Sequence, residues 1–525
     1  MMQQLWYYLQ FILQIVYSFC ALYLAVYGAQ AAWLGFLYLR NSRRPQQQAQ
    51  EQTCLKSVLS ESADTQLPAV TIQLPIYNEH HVVERLIDAC VHQDYPEHLL
   101  QVQILDDSDD QTTALAEVRA EEWRRRGRDV SVVRRANRTG YKAGALDFAL
   151  PHARGEFIAI FDADFMPPAD FLRRSVTHFF RVGMDKVGFV QARWEHLNRS
   201  YSALTQCQAL ALDAHFGIEQ PTRSQHGYLF GFNGSAGIWR RTCIEDPAVG
   251  GWQHDTLCED LDLSYRAQLC GWRGLFLEDV AAPAEIPPQL AAFKRQQARW
   301  AKGSIQTLGK LARPVWNSEK ELSVRIAALL HLSNYLLHPA LLLMLLLTLP
   351  FLLTGTRTAA ILAPLSITSL CTPWLYFLAQ RKLRPTQWLQ HMQYLPLLAV
   401  LGMGLSLSNS RAVWHALTGR QNSFLRTPKF RVEKTSDLWQ ESAYRLPLNP
   451  QLLAELSLLL YALVAVGVAI SLRNYTTAFF MLLYASGFGL SLGIELEQAW
   501  SVRQIVRLQL FPSPVRLQKD HISVE

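Results

Sequence analysis

"FIAIFDADFMPPADF", residues 157–171, runs five apolar residues into two carboxylates one residue apart, Asp162 and Asp164, and then turns on Pro167 and Pro168. An apolar run of this kind reads as a buried strand. Two like charges at its end cost free energy through repulsion and desolvation unless a cation shares them, and an Asp-x-Asp pair suits a hard divalent ion that also holds phosphate oxygens. The alternative is a solvated turn, since Asp before Pro-Pro is ordinary turn chemistry.

The neighbouring segments favour the first reading. "AVTIQLPIY" (69–77), "VQILDD" (102–107), "VSVVRR" (130–135), "FIAIFDAD" (157–164) and "VGFVQARW" (187–194) read as strands. "HHVVERLIDACVHQ", "QTTALAEVRAEEWRRRG" and "YKAGALDFALPHA" between them read as helices. The alternation predicts an α/β domain over residues 68–300, with a parallel sheet and helices on both faces. Such sheets take ligands at the carboxyl ends of their strands. The charged tips sit there: Asn78 and Glu79, then Asp106 and Asp107, then Asp162 and Asp164.

Two later motifs add chemistry. "TLCEDLDLSYR" (256–266) places Glu259 and Asp260 at a helix start, where a carboxylate can equally be a cap. "FKRQQARWAKG" (293–303) sets Gln296, Arg299 and Trp300 on one helical face. A guanidinium can fork onto phosphate oxygens and an indole can lie against a pyranose, so this face suits a sugar and a diphosphate. "GFNGSAG" (231–237) has three glycines around Phe232 and Asn233, fitting close backbone approach to a sugar or a plain tight turn.

The ends of the chain are different. Of 525 residues, 50% are hydrophobic and only 18% charged, which points to a membrane portion. Residues 5–39 carry no charge and exceed the roughly 20 residues that span a bilayer. Arg40, Arg43 and Arg44 follow, so the next segment is expected in the cytoplasm. Residues 41–67, with "PQQQAQEQ", read as a linker. Residues 301–326 read as an amphipathic segment on the membrane surface. Apolar stretches follow at 327–353, 358–380, 392–409, 453–472 and 476–494. A full crossing by 392–409 would put the basic loop "GRQNSFLRTPKFRVEK" (419–434) outside, against the positive-inside rule. That stretch is therefore expected to be re-entrant or partly inserted, or a neighbouring span is miscounted. The basic tail, 501–525, with Arg503, Arg507, Arg516 and Lys519, then ends inside. The net charge of +6 is too mild to indicate nucleic acid, and the eight scattered cysteines have no metal spacing and read as thiols of a reducing compartment.

Taken in order, "QLPIYNE", "LDDSDD", "RTGYKAGAL", "DAD", "VQARWEHLN", "FNGSAGIWR", "CED" and "QQARW" resemble the membrane-embedded family 2 glycosyltransferases of the cellulose-synthase and mannan-synthase-like group. The resemblance implies a GT-A domain between an N-terminal transmembrane helix and a C-terminal transmembrane bundle over 327–500. It implies that Tyr77, Glu79, Asp106 and Asp107 hold the nucleoside side of the donor and that Lys142, Asp162 and Arg299 face its diphosphate. Asp162 and Asp164 would carry Mg²⁺ or Mn²⁺. Asp260, beside Glu259, would be the general base of an inverting transfer, with Phe232, Asn233, Gln296, Arg299 and Trp300 on the acceptor glycan. "FLRTPK" is similar to the mobile loop that covers the nucleotide site in this group. Cys258 departs from the Thr that many relatives carry before Glu-Asp, leaving both carboxylates in place.

The expectation is thus a processive β-hexosyltransferase that uses a nucleotide sugar, UDP-glucose first and GDP-mannose second, and passes a growing polysaccharide across a lipid bilayer, that of a bacterial inner membrane, with room for accessory export subunits. A ceramide- or polyprenol-type glucosyltransferase and a non-enzymatic membrane protein with a nucleotide-sensing domain are the competing readings.

Overall fold

The computed structural model describes residues 2–41, 67–180, 183–356, 368, 371–420 and 424–510. The linker 42–66 and the tail beyond 510, including Arg516 and Lys519, lie outside the described residues, as do Arg43 and Arg44.

Among the described residues the sheet has seven strands in the order β3-β2-β1-β4-β6-β5-β7. These are β1 (Val70–Ile76), β2 (Leu100–Asp106), β3 (Val130–Val133), β4 (Phe157–Ile160), β5 (Val187–His196), β6 (Gly237–Arg240) and β7 (Arg273–Ala284). Strands β1 to β4 form the expected parallel half. The other half corrects the all-parallel expectation. Strand β6 lies antiparallel between β4 and β5, and β7 runs parallel to β5. At four residues, β6 is too short to show a period, and it follows a glycine-rich turn. β7 is read through "GLFLEDVAAPA", where the charged pair Glu278 and Asp279 interrupts any apolar run.

The opening stretch explains itself in the pleat. Successive side chains along an extended chain point to opposite faces. Phe157, Ala159, Phe161, Ala163 and Phe165 enter one core, while Ile158 and Ile160 enter the core on the other side. The strand ends at Ile160, and a turn closed by the Phe165 N–H on the Asp162 carbonyl at 3.1 Å carries Asp162 and Asp164 at its carboxyl end. The Asp162 N–H donates to Ser235 Oγ at 2.9 Å, which ties the tip to the turn before β6.

Helix Leu290–Trp316 is one continuous element of 27 residues, about 40 Å long at 1.5 Å per residue. It joins the Gln296–Trp300 face to the amphipathic stretch that the sequence separates at residue 301. Four helices among the described residues are long and apolar enough to cross a membrane: Tyr7–Asn41, Leu322–Thr354, Leu452–Ser471 and Tyr475–Ile505. The 392–409 stretch falls in two short helices, Leu395–Gly404 and Ser406–Leu417, neither approaching the length of a span. Of the 358–380 stretch, residues 358–367, 369 and 370 lie outside the described residues, and Cys371–Leu383 is helical.

The chain from 424 to 446 returns from the bundle and lies on the α/β domain. Phe430, Val432 and Trp439 are buried with Ala292. Glu285 accepts the backbone N–H groups of Phe430 and Arg431 at 2.9 Å each, and Arg85 pairs with Glu433 at 2.5 Å.

Candidate active site

One cavity at the carboxyl ends of β1, β2 and β4 is lined by Tyr77, Glu79, Asp107, Lys142, Asp162, Asp164, Asn233, Glu259, Asp260, Gln296, Arg299 and Trp300. Motifs up to 223 residues apart therefore converge on one space. Two candidates do not. Asp106, the last residue of β2, points away from Asp107 by the strand alternation. Its carboxylate accepts the Ser108 N–H at 2.9 Å and the Thr113 hydroxyl at 2.7 Å, so it holds a turn. Phe232 is 1% exposed and packs against Trp239 and Phe189, inside the core rather than on a sugar.

The two opening aspartates are each met by a lysine. Lys142 Nζ donates to Asp162 Oδ1 at 2.5 Å and to the Gly234 carbonyl at 2.8 Å. Burial works against the Lys142 charge, but Asp162, Glu259 and Asp260 outweigh it and raise its pKa. Lys429, from the returning loop, stands 2.5 Å from Asp164 Oδ2. Asp164 Oδ1 is buried with no hydrogen-bond partner among the described residues. Two carboxylates, one with an unclaimed oxygen, are hard oxygen donors that fit Mg²⁺ or Mn²⁺ in partnership with phosphate oxygens. No group of three or more metal-ligating side chains occurs among the described residues, so the protein offers only part of a coordination shell.

Asp260 is the second residue of helix Glu259–Leu269, with Oδ1 accepting the Leu261 N–H at 2.8 Å. Burial, and then the neighbouring Glu259, raise its pKa to about 7, against the pull of Lys142. Gly234 has φ +78°, and a Cβ there would come within 2.7 Å of Asp260 Oδ2 and 3.3 Å of Lys142 Nζ. The glycine-rich turn is thus a close approach to this carboxylate. Gly303 does the same from the other side: a Cβ would meet the Cys258 backbone nitrogen at 2.8 Å. Absence of a side chain at 303 lets the Trp300 helix close onto the start of the Asp260 helix.

Several lining residues escape sequence reasoning. Arg138 lies 3.3 Å over the Tyr77 ring, making that end of the cavity a cation–π stack. The basic run "RRANR" before the glycine of 140 is the available signal. Asp107 is held by Arg135, Nε to Oδ1 at 2.8 Å and NH2 to Oδ2 at 2.5 Å. Phe424, Arg426, Thr427 and Lys429 also line the cavity, and they belong to the "FLRTPK" stretch whose resemblance to a covering loop the sequence already carries. Arg426 pairs with Glu79 at 3.0 Å, and the Arg299 guanidinium lies 5.1 Å from the Phe424 ring. Burial raises the Glu79 pKa to about 8, against Arg426 and Lys429.

The family described as "Glycosyltransferase like family 2" matches residues 68–303. Glucomannan 4-beta-mannosyltransferase 2 of Arabidopsis thaliana is 39% identical over 264 residues, covering 50% of this chain and 49% of that protein. Glucomannan 4-beta-mannosyltransferase 1 of Oryza sativa subsp. japonica is 39% identical over 257 residues, covering 48% of this chain and 49% of that protein. The chain thus spans about half the length of these curated relatives. Among solved structures, mannosyltransferase PcManGT from Pyrobaculum calidifontis, in complex with GDP-Man and Mn²⁺, superposes with a TM-score of 0.51 at 20% identity, covering 77% of this chain and 100% of that one. That likeness identifies the fold of the glycosyltransferase domain as GT-A-like, with a mixed sheet.

Proposed function

We propose that this protein is an inverting hexosyltransferase that extends a β-linked glycan from a nucleotide sugar. The observation that carries the reading is the position of Asp260. It lines the same cavity as Asp162, Asp164, Gln296, Arg299 and Trp300, and the charges of both Lys142, the partner of Asp162, and Arg299 act on its carboxylate. A base there stands between a diphosphate-binding edge and a surface suited to an acceptor sugar.

Asp260 takes the proton of the acceptor hydroxyl as that oxygen attacks the anomeric carbon. Attack from the face opposite the leaving diphosphate inverts the configuration. Lys142 and Arg299 neutralise the leaving group, and Trp300 supports the sugar ring that carries the attacking hydroxyl. Asp162 and Asp164 would hold Mg²⁺ or Mn²⁺, and that ion would neutralise charge on the leaving nucleoside diphosphate. Tyr77 under Arg138 is a platform for the base.

The relatives' names move mannose ahead of glucose: GDP-mannose is the preferred donor of this reading, and UDP-glucose the second. The four long apolar helices support a membrane-embedded enzyme that works processively and passes its product through the bundle. The catalytic domain then faces the cytoplasm of a bacterial inner membrane. Purified protein is to be incubated with radiolabelled GDP-mannose and UDP-glucose. Long insoluble product sensitive to a β-mannanase supports the reading; organic-extractable product would make it a glycolipid transferase, and absence of transfer from every nucleotide sugar would overturn it.

A further inference from the structure

Helix Ala203–Ala214 widens into a π turn over His215–Glu219 before helix Gln220–Gln225 begins. Such turns are rare and frequent at functional sites. Here the turn builds a chain of side chains that ends on the cavity wall. His215 Nδ1 lies 2.9 Å from Glu219 Oε2, and the other Glu219 oxygen accepts Arg223 Nε at 3.1 Å. On the far side of the ring, His215 Nε2 is approached by Gln220 Nε2 at 3.1 Å and by Asn233 Nδ2 at 3.3 Å. Gln220, fully buried, also donates to Asn233 Oδ1 at 2.9 Å and to the Gly231 carbonyl at 3.2 Å. The Asn233 backbone N–H donates to Gln191 Oε1 at 2.8 Å.

The polarity of this chain is set from its outer end. A carboxylate is acceptor-only, so Glu219 claims the Nδ1 proton and leaves Nε2 as a lone pair. That lone pair takes one Asn233 amide hydrogen, while Gln220 occupies one lone pair of the Asn233 oxygen. One N–H and one acceptor site of Asn233 remain for the cavity. Asn233 lines it, whereas His215, Glu219 and Gln220 do not. The next residue, Gly234, gives its carbonyl to Lys142, the lysine on Asp162, which puts the amide beside the donor end.

We infer that His215, oriented by Glu219, is a positioning residue that locks the Asn233 carboxamide in one orientation, and that this locked amide discriminates between epimeric hexoses of the donor. The inference rests on the nucleotide-sugar reading of the site. Epimers differ in the direction of one hydroxyl. A donor–acceptor pair held in fixed order rejects the wrong direction by leaving a buried polar group unpaired, whereas an amide free to flip accepts both.

The test compares GDP-mannose with GDP-glucose, which share a nucleotide and differ at one carbon. Donor kcat and KM are measured for the parent, His215→Phe, His215→Gln and Asn233→Ala. Phenylalanine keeps the ring edge against Phe216, whose centroid is 4.9 Å away, and removes both nitrogens. His215→Phe is expected to reduce the ratio of the two kcat/KM values by roughly tenfold, mainly through KM, with His215→Gln restoring part of it. Asn233→Ala should lose the same ratio, and the double variant no more than either alone. An equal fall for both donors with the ratio unchanged would reduce His215 to a packing residue and overturn the inference while the site reading stands. Should His215→Phe fail to fold, His215→Gln and Asn233→Ala carry the same comparison. If the parent transfers neither hexose, donor binding by calorimetry decides: equal binding of the epimers, unchanged in the variants, overturns the inference, and the missing transfer counts against the site reading separately.

Discussion

Lys429 Nζ lies 2.5 Å from Asp164 Oδ2, joining residues 265 positions apart. The lysine comes from a loop of the membrane half and the aspartate from the tip of the sheet. With Lys142 on Asp162, it explains how two neighbouring carboxylates are tolerated at the end of a buried strand. Each charge has its own cation. Lys429→Met should release the loop over the cavity. Limited proteolysis is expected to cut within 424–434 several times faster than in the parent. Transfer should fall as well, and unchanged protection would show that Arg426 and Glu285 hold the loop without the lysine.

Asp260→Asn removes the base and keeps the side-chain shape. The rate should fall by roughly two to four orders of magnitude, the usual worth of a positioned base, with donor binding close to that of the parent. Glu259→Gln is the control. If it abolishes transfer while Asp260→Asn retains most of its rate, the base is the other carboxylate.

The pH profile follows from the raised Asp260 pKa. A base works deprotonated, and burial beside Glu259 raises the Asp260 pKa, so transfer should rise with pH across the range in which this carboxylate pair loses its proton and level off above it. In Asp260→Asn this limb should disappear from the residual activity. A parent profile that is flat from pH 5 to 8 would contradict the assignment.

Gly303→Ala tests how the helices that carry Trp300 and Asp260 meet. The added methyl would press on the Cys258 backbone nitrogen and on its sulfur. Overpacking of this kind costs roughly 1–3 kcal/mol and should tilt Trp300 away from Asp260. A lower melting temperature with shortened product is expected, and Cys258→Ala should relieve it only in part, because the backbone contact remains.

Excess chelator should abolish transfer in the parent, and Asp164→Asn should weaken metal-dependent donor binding more than it changes thermal stability. Full turnover of the variant in chelator would remove the ion from the reaction.

Much of this site is legible in the amino-acid sequence because its chemistry sits at the ends of short periodic segments. The apolar run of β4 leads into Asp162 and Asp164 at the strand's carboxyl end, and helical spacing puts Gln296, Arg299 and Trp300 together. Order along the chain then carries the resemblance to family 2 glycosyltransferases. The same local rules fail at Asp106 and Phe232, which sit beside true lining residues. A neighbour in sequence points to the opposite face of an extended chain, and a position is enough to name the pair but not the member that faces the ligand.

What the chain determines by itself is therefore the set of strand-end carboxylates, the helices that carry Asp260 and Trp300 and the apolar segments long enough to span, because each is encoded by side chains within one or two turns or strands of each other. The tertiary structure alone decides the antiparallel place of β6, the closure of Arg426 and Lys429 over Glu79 and Asp164, and the run from Glu219 through His215 to Asn233. Those pairings link segments that carry no mutual periodicity. They form only when the core has packed and the loop entropy of bringing distant residues together has been offset by burial, a condition that no local pattern records.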